Sequence, residues 1–238
     1  MLLHIIIPTH FRHQKLMNCL GSIEQARTLL DCYSYVFVYY SDKEEFEKDS
    51  IGLINYKNIL PKLLEKPYFA SEFWNDHIKS YNADIYIYLN DDIVLEMNAL
   101  KRVVNIMNEK FNDLDGVVAI TQENIPENQA CPTAFGAIGT KFTDRFPDRK
   151  VFCEDYERLY LDSELGEYAK SQGKLFHSLD KSMAPLLTHF HPGFFPNMKD
   201  STHDDVRTHL RKDKITNNRR KSKNLLWGRD FTLINAKN

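Results

Sequence analysis

The sequence predicts an α/β domain: a mostly parallel central sheet flanked by helices. Two observations carry this. Short apolar, β-branched runs alternate with segments of helical periodicity as far as about residue 120. The first run, residues 2–7, is apolar at consecutive positions, the mark of a strand covered on both faces.

Taken in order, residues 2–7 form a strand that Pro8-Thr9 ends, with Thr9 able to cap the next helix. Leu16, Leu20 and Ile23 then recur at helical spacing to about Leu30. Residues 35–40 are aromatic and β-branched and stop at Ser41-Asp42, which reads as a second strand. Residues 51–54 read as a short third strand, and Pro61 and Pro67 break the stretch after it. A helix is expected over 70–81 and a strand over 85–89, running straight into Asn90-Asp91-Asp92. Residues 98–111 place Leu100, Val103, Val104 and Met107 on one helical face, and 117–120 make another strand. Asp162 and Glu164 sit in the start of a helix that Gly173 ends. In open sheets of this class ligands lie beyond the carboxyl ends of the strands. That rule gathers Thr9 with Arg12, Asp42, and Asn90-Asp91-Asp92 at one edge.

Composition narrows the class. With 238 residues, 42% hydrophobic and 12% aromatic, the chain can bury a full core and is not disordered. Nine Gly and nine Pro exclude a low-complexity or collagen-like chain. No run approaches the ~18 apolar residues of a membrane span. Cys19, Cys32, Cys131 and Cys153 form no CxxC pair, which disfavours a zinc ribbon and suits reduced thiols in a cytoplasmic protein. The net charge of −2 excludes a wholly basic nucleic-acid coat. It also conceals an asymmetry: residues 199–229 carry ten Lys/Arg against four Asp/Glu. The expected organisation is a body over 1–198 and a basic segment over 199–238.

Four clusters suggest chemistry. Adjacent carboxylates repel unless a cation holds them, so Asp91-Asp92 after an apolar strand fits Mg2+ or Mn2+ bridging to a diphosphate. A capped turn is the alternative reading. Arg12, at the end of the first strand, can take a phosphate bidentately or lie solvated. Asp162 or Glu164 can accept a proton from an attacking hydroxyl, or simply suit the helix dipole. His189 and His191, in an HxH pattern, can complete a metal site.

In this order, the clusters resemble the GT-A-fold glycosyltransferases, most closely those of family 2, over about residues 3–195. HIIIPTHFRHQKLMNCLGSI (4–23) is similar to that family's opening strand and helix. FWNDHIKSYNADIYIYLNDDIVL (73–95) resembles the stretch ending in its DxD motif. FGAIG (135–139) looks like its small-residue turn at the acceptor site, and LDSEL (161–165) through Gly173 like its E-D-x-D-L…G pattern.

The resemblance implies a metal-dependent, inverting transfer of a sugar from a nucleotide sugar, UDP-linked, to an acceptor hydroxyl. It implies that Pro8, Thr9, Arg12, Asp42, Asn75, Asn90 and Asp91 bind the nucleotide. Asp92 with His189, or else His191, holds Mn2+ or Mg2+. Asp162 is the general base, with Asp155 as second choice in a rival register. Asn90 stands where the family has the first Asp of DxD, and Leu161 where it has Glu. Those departures leave room for a nucleotide- or carbohydrate-binding domain without transfer. The acceptor is a saccharide, lipid or protein. Alternatively it is a modified base of phage DNA, reached through Arg219-Arg220-Lys221-Ser222-Lys223 and Trp227.

Overall fold

The computed structural model describes residues 1–53, 56–65, 69–123, 133–177, 185–192, 195, 197, 199 and 201–230, the side chains of 201–208 excepted. Ile54, Pro67, Cys131 and the last eight residues lie outside them. The elements are β1 (Leu2–Thr9), α1 (His13–Arg27), β2 (Tyr33–Tyr40), α2 (Lys43–Leu53), β3 (Ile59–Leu63), α3 (Ala70–Ser80), β4 (Ile85–Tyr88) and β5 (Ile93–Leu95). After these come α4 (Ala99–Lys110), β6 (Val117–Ala119), β7 (Gly136–Gly139), α5 (Thr140–Thr143), α6 (Leu161–Ser171), β8 (Leu175–Phe176), β9 (Leu187–His189) and α7 (Ser201–Ser222).

A seven-stranded sheet runs β3-β2-β1-β4-β7-β6-β8. Strands β1 to β4 pair in parallel, and β7 lies antiparallel between β4 and β6. The mostly parallel sheet expected from the apolar runs is therefore present. Alternation along β1 and β4 splits the core. Leu3, Ile5, Ile7, Ile85 and Ile87 face α1 and α4, whereas Ile6, Tyr86 and Tyr88 face α3, α6 and the segment around Phe152. The predicted apolar faces are buried: Leu16, Leu20 and Ile23 on α1, and Leu100, Val103, Val104 and Met107 on α4.

Several local expectations are corrected. Ile51–Leu53 closes α2 rather than forming a strand. That helix starts because Asp42 Oδ1 accepts from the Glu45 amide at 2.8 Å, with Glu44 and Glu45 in its first turn. The third strand is β3 and contains Pro61, tolerated because β3 is a sheet edge. Thr9 caps nothing: Arg12 occupies the N-cap of α1, and the Thr9 hydroxyl turns toward Asp91. The small residues of 135–139 are strand β7, not a turn. They are small because a Cβ on Gly136 would lie 2.6 Å from the Tyr88 hydroxyl, and one on Gly139 2.1 Å from the Leu114 carbonyl. Gly173 does end α6, at φ +66.

No helix among the described residues is long and apolar enough to cross a membrane. Cys19, Cys32 and Cys153 are free thiols.

Under the sheet, His4 of β1 and His77 of α3 meet, Nδ1 to Nε2 at 3.1 Å, and the Tyr39 hydroxyl lies 2.7 Å from His77 Nδ1. Burial lowers His4 from 6.5 to about 4 and His77 to about 3. The unfolded chain therefore takes up protons that the folded one refuses. The stability this pair contributes is complete above about pH 6.5 and is lost as pH falls through 4. Urea titrations of a His4→Phe/His77→Phe variant should show a shallower acid limb over that interval; an unchanged slope would contradict the assignment.

Candidate active site

The polar site is built where neighbouring parallel strands end. In register Ile6 of β1 faces Tyr88 of β4, so three residues further on Thr9 stands beside Asp91. Its hydroxyl donates to Asp91 Oδ2 at 2.9 Å. The Arg12 guanidinium reaches across from the N-cap of α1. Its Nη1 lies 2.9 Å from Asp91 Oδ1 and 3.2 Å from Asp92 Oδ2. Pro8 sits in the middle of the sheet, beyond the last β1–β4 pair, where its missing N–H costs nothing on that side. Behind the turn Cys19 Sγ donates to the Asn90 carbonyl at 3.6 Å.

The histidine arrives by a device too short to read in the sequence. Strands β5 and β9 form a two-stranded antiparallel sheet with Ile93 opposite His189, and the Phe190 amide donates to the Asp92 carbonyl at 2.9 Å. His189 Nε2 thereby stands 3.3 Å from Asp92 Oδ1, and its Nδ1 lies 3.2 Å from Gln122 Oε1. Phe135 packs edge-on against the imidazole at 4.9 Å between ring centroids, and the His191 ring lies tilted beside it at 5.3 Å.

Both carboxylates are buried, Asp91 at 2% exposure and Asp92 at 4%. Burial pushes Asp91 up to about 6, with Arg12 and Thr9 opposing and Asp92 adding to the rise. For Asp92 burial also raises, but His189, Arg12 and Lys15 outweigh it and hold the carboxyl at about 2. The two acids are thus driven apart, with Asp92 the fixed anion.

The donor set fits a hard cation on one specific ground. Asp92 Oδ1 is buried and makes no hydrogen bond; His189 Nε2 approaches it at ion-pair distance without hydrogen-bond alignment. With Nδ1 beside the Gln122 carbonyl oxygen, Nε2 is the ring nitrogen that faces that carboxylate, and in the neutral form of the ring it would be an acceptor. A cation between two such acceptors relieves both. Among the described residues no group of three or more His, Cys, Asp or Glu is placed to hold a metal alone. The pair suits an ion that draws its other ligands from a diphosphate and water.

The other expected residues make these contacts of their own. Asp42 is occupied at the N-terminus of α2, where it accepts from the Glu45 amide. The Asn75 amide of α3 clamps the 152–154 segment through the Phe152 amide and carbonyl, at 2.9 and 2.8 Å, and through Glu154 Oε1 at 3.2 Å. Asp162 lies in the first turn of α6, which Thr133 ties to the β7 side by donating to the Asp162 carbonyl at 2.7 Å. Gly166 lets that contact close, since a Cβ there would meet Thr133 Oγ1 at 2.4 Å. Asp155, the rival base, accepts from Arg219 at 3.3 Å and Arg220 at 3.0 Å.

Those arginines belong to α7, and the basic segment is spent largely on the body. Arg220 is 4% exposed and forks onto Glu164 at 2.7 Å, with Asp155 and Asp230 each at 3.0 Å. Asp213 is fully buried and accepts from the amides of Glu157, Arg158 and Leu159 at 2.8–2.9 Å. Glu157 pairs with His209 and Lys212, and Lys221 with Glu167. The Trp227 indole donates to the Lys150 carbonyl at 2.8 Å. Sequence reasoning missed Gln122, Lys15 and the Glu164–Arg220 pair. Only the last had a signal, an acid on the α6 face that packs inward.

No family model and no curated protein matches the chain. Solved structures do. S. aureus TarS 1–349 in complex with UDP-GlcNAc superposes with a TM-score of 0.59 at 15% identity, over 79% of this chain and 58% of that one. Longer S. aureus TarS gives 0.57 at 14%, over 83% of this chain and 38% of that chain. The mannosyltransferase PcManGT from Pyrobaculum calidifontis, in complex with GDP-Man and Mn2+, gives 0.52 at 12%, over 75% and 55%. This chain therefore spans less than two thirds of each.

Removing Arg220 would leave Glu164 buried without a counter-charge, the Trp227 amide still donating to it at 2.6 Å. Arg220→Ala should cost about 3–5 kcal/mol in urea unfolding, and less in a Glu164→Gln background; a loss below about 1 kcal/mol would show that the knot is not structural. Sheet order, the buried acid pair beyond β4 and these superpositions together identify the fold as that of the GT-A glycosyltransferases.

Proposed function

We propose that this chain transfers a sugar from a nucleotide sugar, UDP-linked, to an acceptor hydroxyl, with a divalent cation and with inversion at the anomeric carbon. The observation that carries the reading is the convergence of Thr9, Arg12, Asp91, Asp92 and His189 beyond β1 and β4. TarS with UDP-GlcNAc and PcManGT with GDP-Man and Mn2+ support the donor class and the ion.

Asp92 and His189 would hold Mn2+ or Mg2+, which when bound stabilises negative charge growing on the leaving diphosphate. Pro8 and Thr9 line the end of β1 where the nucleoside would lie, with Asp91, held by Thr9 and Arg12, beside them. Asn90 stands beside it at the turn. Arg12 has the fork geometry for a phosphate. Asp162 is the preferred base, since Glu164, Leu165 and Gly173 downstream of it fit the family's pattern at once; Asp155, the second choice, receives two guanidinium groups. A proton leaving the acceptor hydroxyl passes to the Asp162 carboxylate as the new C–O bond forms and the nucleoside diphosphate departs from the opposite face.

The reading of the basic segment as a nucleic-acid arm gains no support from its contacts. Arg219, Arg220 and Lys221 each pair with carboxylates of the body.

The test is Mn2+-dependent release of UDP across a panel of nucleotide sugars. Asp92→Ala and Asp162→Ala should each lower turnover by about 100-fold or more, and Asp162→Ala should leave donor affinity intact. Asp155→Asn should keep most of the activity. Unaltered turnover in both alanine variants would contradict the assignment.

A further inference from the structure

We infer that Arg12 is a stand-in cation: with no metal bound, its guanidinium holds the place between Asp91 and Asp92, and a metal–diphosphate complex displaces it from Asp92. The inference rests on the proposed function and adds an order of events to it.

Its basis is the unequal use of four carboxylate oxygens. Both oxygens of Asp91 are taken, one by Thr9 and one by Arg12, at 2.9 Å each. Asp92 gives Oδ2 to the same Arg12 Nη1 at a longer 3.2 Å, and its Oδ1 faces His189 without a hydrogen bond. One nitrogen thus spans two carboxylates but is anchored more closely on Asp91. Two adjacent buried anions need a positive charge within a few ångströms, and Arg12, its side chain 10% exposed, supplies it. A divalent ion entering at Asp92 and His189 meets that charge.

With both carboxylates ionised, Arg12 and a divalent ion together leave one positive charge in excess, which a further anion would offset. A diphosphate provides one: it ligates the ion and offers the fork a new partner. Metal and nucleotide should therefore bind with strong mutual dependence, and Arg12 should be the source of it. An empty protein would then discriminate against free metal in favour of the metal–nucleotide complex.

The test measures Mn2+ binding by the loss of the free-ion electron paramagnetic resonance signal, with and without UDP. Wild type should bind Mn2+ at least tenfold more tightly with UDP than without it. Arg12→Gln should bind Mn2+ alone at least tenfold more tightly than wild type does. UDP should then add less, so the coupling shrinks. Asp92→Asn placed in that background should abolish the gain, locating the ion. The metal-free variant should melt below wild type, and Mn2+ alone should restore it, so even a variant poorly folded without metal gives a reading. Mn2+ affinity in Arg12→Gln no greater than in wild type, or no rescue by Mn2+, would overturn the inference. If wild type bound Mn2+ with UDP as expected, the proposed function would survive that result. If wild type bound neither, both would fall.

Discussion

Two adjacent carboxylates buried at the end of β4 are the constraint around which the site is organised. Like charges side by side repel, which adds to the cost of taking each out of water, and Asp92 accordingly adds to the rise of Asp91. Nothing in the strand that precedes them offsets this. The compensation comes from elsewhere: a hydroxyl and a guanidinium from the first strand and its helix, and an imidazole from a strand nearly a hundred residues later. The parallel order of β1 and β4 makes the first two local, and the β5–β9 pairing delivers the third. The arrangement leaves one oxygen of Asp92 unsatisfied, and chemistry can begin there.

The basic segment answers a second electrostatic problem. Residues 153–167, the loop before α6 and the first turns of that helix, carry Glu154, Asp155, Glu157, Asp162, Glu164 and Glu167 against one basic residue, Arg158, so like charges crowd there. Helix α7 crosses it with Arg219, Arg220 and Lys221, while the Asp213 carboxylate receives three amides of the same loop. The consequence is positional: the first turn of α6, which carries Asp162, is held from one side by Arg220 on Glu164 and from the other by Thr133. The charge asymmetry of the sequence is thus an internal complementarity between the basic helix and the acidic loop it covers.

Much of this was legible in the sequence because it depends on periodicity and strand-end chemistry. The apolar run at the start, the α1 and α4 stripes and the Asn90-Asp91-Asp92 turn needed no tertiary information. What was not legible depended on partners. Residues 51–53 are β-prone in isolation, yet the Asp42 cap makes them helical. Pro61 reads as a breaker until β3 is known to be an edge. The glycines of 136–139 read as a turn because the Tyr88 ring and Leu114 carbonyl that exclude a side chain lie far away in sequence. The short strands β5 and β9, which bring His189 to Asp92, have three residues each and no signal of their own.

The central claim is that Asp92 and His189 together form the metal-binding half of a donor site. Crystals grown with UDP and Mn2+, with diffraction recorded at the manganese absorption edge, test it most directly. The account predicts an anomalous peak in contact with Asp92 Oδ1 and His189 Nε2 and with the diphosphate. A peak at other residues, or UDP bound with no manganese beside Asp92, would contradict it.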